Sequence, residues 1–314
     1  MPEEVAASHT GGYRSGFACF TGRPNVGKST LTNALVGAKV AITSDRPQTT
    51  RHTVRGIVHR PDGQLILVDT PGLHKPRTLL GKRLNDLVRT AWAQVDAIGL
   101  CVPADQPIGR GDEFIARQLA RIRRPAKVAV VTKTDLVTKE ELARRLLDVT
   151  ALGHLSGVDW AEIVPVSAVQ NDQIDLLAGL LLGRLPEGPA LYPDGEPTDE
   201  PESVLVAELI REAALAGARD ELPHSLAVTV EEILPRENRP PERPLLDVRA
   251  VIYVERPSQK AIVIGAGGSR LKEVGSAARR QIEALLGTPI YLDLHVKVAK
   301  NWQRDPKQLR RLGL

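Results

Sequence analysis

A chain of 314 residues, 42% hydrophobic and 25% charged, has ordinary globular composition and is long enough for two domains with separate cores. The net charge of +4 is too small to argue for a nucleic-acid partner by itself. No apolar run reaches membrane-spanning length, the N-terminus has no apolar signal region, and Cys19 and Cys101 sit singly in apolar runs. A membrane-spanning protein and a disulfide scaffold are thereby excluded, and the reading is a soluble, cytoplasmic protein.

After a polar stretch, 1–15, read as flexible, residues 16–185 alternate short apolar strands with amphipathic helices. Strands are predicted at Phe17–Thr21, Thr53–His59, Leu65–Asp69, Ala97–Val102, Val128–Thr132 and Ile163–Val166. Helices are predicted at Lys28–Val36, Leu79–Val95, Asp112–Ile122, Glu140–Leu152 and Asp172–Leu185. This alternation predicts an α/β domain with a mostly parallel sheet and ligands at the carboxyl ends of its strands. Residues 186–202 are rich in proline and acid and read as a semi-rigid linker. The pattern then changes to helix Ser203–Ala218, strands Ser225–Leu234 and Leu245–Glu255, helices Ser258–Ile264 and Ser269–Leu286, and strand Pro289–Val298. That order, αββααβ, predicts a separate α+β domain over 203–298, followed by a basic tail, 299–314.

The strongest motif is Gly22-Arg23-Pro24-Asn25-Val26-Gly27-Lys28-Ser29, followed by Thr30, between the first strand and the first helix. Its spacing, G-x-x-x-x-G-K-S, is that of a phosphate-binding P-loop. The glycines let backbone N–H groups turn toward an anion, and the helix start adds its positive end. Lys28 supplies a point charge for the outer phosphates, and the Ser29 hydroxyl is placed to ligate Mg2+.

Four further loops fall at strand ends or between elements. Asp69-Thr70-Pro71-Gly72 ends the third strand, where Asp69 can hold a water on magnesium and the Gly72 N–H can sense a γ-phosphate. Thr49 or Thr50, within Gln48-Thr49-Thr50-Arg51-His52, would complete the magnesium shell, with Thr50 favoured. Thr132-Lys133-Thr134-Asp135 resembles the guanine-reading motif N-K-x-D, with a threonine in the asparagine position. Asp135 would accept hydrogen bonds from the guanine ring N–H and amine, a donor pair that adenine lacks. Ser167-Ala168 is placed to touch the base from the far side.

In the second domain, Gly265-Ala266-Gly267-Gly268 joins two helices, a G-x-x-G loop over which a nucleic-acid backbone can pass closely. Arg270 and Lys272 follow it. Lys300 and Arg304 crowd the tail around Trp302, an arrangement that suits phosphates and a stacked base. The same tail also fits a solvated cationic face with a packed tryptophan.

The five loops together resemble those of translation-factor-related bacterial GTPases, and the Gln48–His52 and Asp69–His74 segments with the second domain narrow the resemblance to the Era family. It covers nearly the whole chain from about Gly16. It implies a P-loop GTPase domain with helices on both faces of the sheet, followed by a type II KH domain. It also implies GTP and GDP as nucleotides, hydrolysis of GTP with Lys28, Thr50, Asp69 and Gly72 in catalytic roles, and binding near the 3′ end of 16S ribosomal RNA during 30S subunit assembly. In related GTPases an asparagine at the place of Asn25 helps hold K+ against the phosphates; a loop-stabilising role is the alternative. Leu73 stands where signalling GTPases carry a water-orienting glutamine, which implies slow intrinsic turnover. Ala266 replaces the usual lysine of the family's G-x-x-G loop, removing one phosphate contact. The rival readings are a GTPase acting on another RNA and a GTP-gated membrane or signalling adaptor whose basic tail meets anionic lipid; for the main reading, a peripheral pool at the inner face of the cell membrane is also an expectation. A monomer is expected.

Overall fold

The structure, a computed structural model, describes residues 12–44, 49–51, 53–73, 78–216, 225–237, 239–240 and 242–314. The chain forms two compact units. The first takes the described residues of Met1–Val40, Val54–Thr70 and Val88–Asp199; the second takes those of Ala41–Thr53, Pro71–Leu87 and Glu200–Leu314.

In the first unit a six-stranded sheet has the order β2-β3-β1-β4-β5-β6. Its strands are β1 (Arg14–Thr21), β2 (Val54–Arg60), β3 (Gly63–Asp69), β4 (Ala97–Pro103), β5 (Ala126–Thr132) and β6 (Glu162–Pro165). All neighbours run parallel except β2, which pairs antiparallel with β3. Every residue of β3 and β4 is buried, as expected of interior strands covered on both faces. The sheet carries α1 (Lys28–Val36), the later turns of α2 (Leu79–Gln94), α3 (Arg110–Ala120), α4 (Lys139–Ser156) and α5 (Ile174–Leu182). Strand alternation sends Ala18, Phe20, Leu65, Leu67, Val128 and Val130 into one core with Leu31 and Leu35 of α1 and Leu177 and Leu181 of α5. The predicted α/β architecture is therefore present, with strand ends shifted by a few residues.

Residues 186–199 differ from the expected linker. They lie along β1–β3 near the open edge of the sheet. The Ile57 N–H donates to the Pro197 carbonyl at 2.8 Å, Arg55 pairs with Asp199 at 2.8 Å, and Gly56 bridges Thr198. Gln64 of β3 anchors the strap from beneath. Its Oε1 accepts from the N–H groups of Leu191 and Tyr192, at 2.8 and 2.9 Å, and its Nε2 donates to the Tyr192 carbonyl at 2.9 Å. The strap covers unpaired backbone that an edge strand would otherwise present.

The second unit has a three-stranded sheet, β7-β8-β9, of β7 (Ala227–Pro235), β8 (Leu246–Val254) and β9 (Ile290–Val298). The first pair is antiparallel, with a bulge between Val230 and Glu232, and the second is parallel. Helices α6 (Glu202–Leu215), α7 (Pro257–Ile264) and α8 (Ser269–Leu286) share one core with the sheet through Val206, Ile210, Val263, Val274, Ala278 and Ile282. This is the αββααβ order of a type II KH fold. The expected basic tail is also folded. A 3-10 turn at Trp302–Arg304 leads into α9 (Pro306–Arg311), and Trp302, Leu309 and Leu312 pack with Leu80, Leu84, Val251 and Tyr253.

Replacing Gln64 with alanine removes three strap hydrogen bonds and leaves backbone groups without their partner. We expect a loss of about 2 kcal/mol in chemical denaturation and faster proteolytic nicking within 186–199 of the native protein. Nicking at the parent's rate would show that Gln64 does not hold the strap.

Candidate nucleotide and RNA sites

The phosphate loop starts where β1 ends. Gly22 has φ +153°, and a Cβ there would meet the Cys101 carbonyl at 2.7 Å, so only glycine lets the loop leave β1 against β4. Asn25 and Gly27 also have positive φ, and Gly27 caps α1. Lys28 is buried. Its Nζ donates to the Arg23 carbonyl at 2.8 Å and to the Gly22 carbonyl at 3.4 Å. Burial pushes the Lys28 pKa below the ordinary lysine value, with Cys101 and Asp69 acting in the opposite direction. Ser29 Oγ donates to Asp69 Oδ2 at 2.8 Å, bringing two hard oxygen atoms, of the kind that suits a divalent cation, together at the carboxyl end of β3. Thr70, next along, is buried and donates to the Phe20 carbonyl at 3.0 Å, which ties β3's exit to β1. Cys19 and Cys101 are free and buried, and burial raises both thiol pKa values, Cys101 to about 12. Both are structural residues, as their apolar surroundings in the sequence suggested.

The guanine motif is joined to the phosphate loop by its unusual residue. Thr132 Oγ1 donates to the Val26 carbonyl at 2.6 Å, so the hydroxyl supplies a tie that an asparagine amide would otherwise make. Lys133 takes a left-handed backbone, φ +59°, and its ammonium lies 3.9 Å from Asp105. Asp135 stands in a short 3-10 turn, Thr134–Leu136. Ser167 Oγ donates to Asp135 Oδ1 at 2.6 Å and accepts from the Gln170 N–H at 3.2 Å. Ala168 begins the turn that this serine organises. The ends of β5 and β6 thus present one carboxylate in a fixed orientation.

The remaining loop residues fall in the second unit. Thr49, Thr50 and Gly72 are half-buried, and Pro71 is buried. Gln48, His52 and His74 lie outside the described residues. Two buried arginines that were not among the expected site residues lie at this segment, and one of them holds Thr49. Arg211 of α6 is 2% exposed, donates to the Thr49 carbonyl, and forms a fork with Glu208 at 2.8 and 2.5 Å. Arg51, also 2% exposed, donates to the Leu226 carbonyl and lies over the Trp302 ring, 5.5 Å from its centroid. Burial, then Arg211, lowers the Arg51 pKa to about 9, while Glu208 and Glu255 act to raise it. The sequence signal for Arg211 was a Glu-x-x-Arg pair running into an apolar helix face, which reads equally as a surface pair.

Trp302 requires a correction. Its indole is 0% exposed and donates to the Ser225 carbonyl at 3.0 Å, so it belongs to the core and offers no face to a base. Lys300 and Arg304 beside it are exposed. The G-x-x-G loop has the geometry its glycines demand. Gly265, Gly267 and Gly268 all have positive φ, and a Cβ on Gly265 would meet the Arg270 N at 2.9 Å. Ala266 and Gly267 are exposed at the tip, as is Lys272; Arg270 is half-buried and reaches the Ala214 and Ala216 carbonyls at 3.5 Å.

Residues 17–133 match the family described as 50S ribosome-binding GTPase, and residues 221–303 match the KH domain. GTPase Era of Streptomyces coelicolor is 72% identical over 301 residues, 96% of this chain and 95% of that protein. The chain belongs to the Era family of GTPases. GTPase Era of a Nocardioides species is 66% identical over 96% of both chains. Two solved Era structures superpose with a TM-score of 0.89 over 96% of this chain and 99% of theirs. One, 36% identical, is a complex with MgGDPNP and nucleotides 1506–1542 of 16S ribosomal RNA. The other, 35% identical, is an Aquifex aeolicus Era variant bound to GDP and aluminium fluoride. Family membership accounts for both halves of the molecule, the P-loop GTPase fold and the KH fold.

Burial of Lys28 disfavours its charged form in the folded protein, and that penalty is full at pH values below its lowered pKa. In Lys28→Met, the nucleotide-free protein should therefore melt no lower than the parent. The rise in melting temperature on adding GTP or GDP should disappear. Retained nucleotide stabilisation would remove Lys28 from the site.

Proposed function

We propose that this GTPase is a nucleotide-driven RNA-binding switch acting on the 3′ end of 16S ribosomal RNA during 30S subunit assembly. The observation that carries the nucleotide half is the Asp135 carboxylate, held by Ser167 beside a phosphate loop that Thr132 ties to the same motif. The RNA half rests on the exposed G-x-x-G tip and on the solved Era complex with a 16S fragment. In this reading the nucleotide work belongs to residues 16–185, and the RNA work to the KH fold of 203–298 with the exposed cations Lys300 and Arg304.

Asp135 accepts hydrogen bonds from guanine, with Lys133 along the base and Thr134, Ser167 and Ala168 closing its surroundings. The backbone of Gly22 to Thr30 wraps the phosphates, and Lys28 meets the outer ones. Magnesium fits the Ser29 hydroxyl and the Asp69 carboxylate 2.8 Å from it, with Asp69 acting through a water. When bound there, it neutralises charge on the phosphate oxygens. Thr50, with Thr49 beside it, and the Gly72 N–H, preceded by Thr70 and Pro71, respond to the γ-phosphate. Water attacks the γ-phosphorus, and the bond to the bridging oxygen of GDP breaks. Leu73 gives that water no hydrogen bond, so positioning carries the rate. Asn25, held at φ +63° in the loop, is the residue we assign to potassium.

A second reading, attraction of the same exposed cations to anionic lipid at the inner membrane face, goes with a peripheral pool of a cytoplasmic monomer. No helix among the described residues is long and apolar enough to cross a membrane.

Changing Asp135 to Asn replaces an acceptor with a mixed donor and acceptor. GTP affinity should fall at least tenfold, from a loss of about 1.5–3 kcal/mol, and xanthosine triphosphate should bind better than GTP. Affinity for GTP within threefold of the parent would refute the guanine assignment. Joint substitution of Ala266 and Gly267 by Asp should abolish binding to a 16S 3′-end oligonucleotide and leave GTP affinity unchanged. Persistent RNA binding, with loss of binding to anionic vesicles, would favour the lipid reading.

A further inference from the structure

Arg23 is the second residue of the phosphate loop, and its side chain is turned away into α3. Arg23 Nε donates to Asp112 Oδ1 at 2.9 Å. Asp112 is fully buried, and its other oxygen accepts from the Gly109 N–H at 2.9 Å. An aspartate at the third position of a helix often caps the first turn. Here the cap uses one oxygen, and the second is committed to a charge-assisted bond with a residue 89 positions earlier. Gly111 makes room for it, since a Cβ there would stand 2.8 Å from Arg23 Cδ and 3.1 Å from Cγ. The guanidinium stem therefore crosses the start of α3 where a glycine permits it and ends on a buried carboxylate.

The backbone of the same residue carries the lysine of the loop, because the Arg23 carbonyl accepts from Lys28 Nζ at 2.8 Å. Gly22, just before, is pressed against the Cys101 carbonyl. The loop's first two residues are thus fixed on both sides, by β4 and by α3, and Lys28 is aimed from that fixed point. We propose that Arg23, Asp112 and Gly111 form a positioning device for the phosphate loop: the Arg23 side chain serves α3 rather than the nucleotide, and holds the carbonyl that orients Lys28. Only Arg23 among the three stood out in the sequence, as part of the loop motif. Asp112 and Gly111 belong to no motif. The inference rests on the phosphate-loop reading above, and a parent protein that binds no GTP would overturn that reading before this one is reached.

The test is steady-state GTP hydrolysis by the full chain, with GDP affinity and melting temperature measured beside it. In Arg23→Ala we expect kcat to fall about five- to twentyfold while GDP affinity stays within about threefold. An arginine that bound the nucleotide directly would instead weaken GDP and GTP together. Gly111→Ala keeps both charges and displaces the arginine stem, so it should reproduce the kcat loss. Arg23→Lys, which returns a cation to Asp112 without the directed Nε–H bond, should recover part of it. In Asp112→Asn combined with Arg23→Ala, kcat should be no lower than in the worse single variant, since both changes break one link. Multiplying losses in the double variant, normal turnover in Gly111→Ala, or a kcat loss in Arg23→Ala without recovery in Arg23→Lys would each overturn the proposal. Gly111→Ala removes neither charge and Arg23→Lys leaves a cation for the buried carboxylate, so these two variants decide the matter even if Arg23→Ala folds poorly.

Discussion

Lys28 is a cation taken out of water, and the first unit is arranged to keep it there. A buried ammonium costs free energy unless acceptors surround it. Its acceptors are two main-chain carbonyls, those of Gly22 and Arg23, whose places depend on how the loop leaves β1. The loop can take that path because Gly22 lacks a Cβ, and along it the Arg23 side chain turns to Asp112 of α3. Asp69, at the end of the neighbouring strand, sets the local field and accepts from Ser29. A parallel sheet makes this possible, since β1, β3, β4 and β5 end side by side, and their last residues converge without long loops.

The same logic extends to the guanine side. Thr132 closes β5 and returns to the phosphate loop at Val26, while Ser167 follows β6 and turns Asp135. A threonine in place of asparagine keeps the tie because the gap is short, 2.6 Å from hydroxyl to carbonyl. The hydroxyl has one proton to donate, and that proton is committed to Val26, so Thr132 has no second donor for another loop. Under the proposed function, specificity for the base therefore falls on Asp135, oriented by Ser167, with Thr132 confined to alignment.

What could be read from the sequence was whatever local spacing encodes. The P-loop, the strand-end Asp69 and Asp135, and the change from α/β alternation to αββααβ all lie in contiguous stretches, and the structure has them where the spacing put them. What escaped depends on partners distant in the chain. Proline and acid in 186–199 read as a linker because composition reports on the segment alone. Gln64, a polar residue within an apolar strand, was the one sign that something would bond there. Cations around Trp302 suggested a tail for RNA, whereas the indole is the core around which that tail folds. Arg51, Arg211 and Asp112 are charges at buried positions, and hydrophobic periodicity reads such charges as surface.

The arginines of the second unit bear on how a nucleotide could be sensed. Thr49 and Thr50 lie between α1 and β2 in the chain, yet their neighbours in space include Arg211 of the KH fold, and Arg51 is clamped between the Leu226 carbonyl and the Trp302 ring. Both guanidinium groups are buried, so neither can be withdrawn into a half-solvated state without losing charge-assisted bonds. Thr50 is followed directly by Arg51, which is held within the second unit by the Leu226 carbonyl and the Trp302 ring. Arg51 and Arg211 lie close enough to act on each other electrostatically. They repel one another, and Glu208 attracts both, so the carboxylate offsets part of the cost of burying two like charges together.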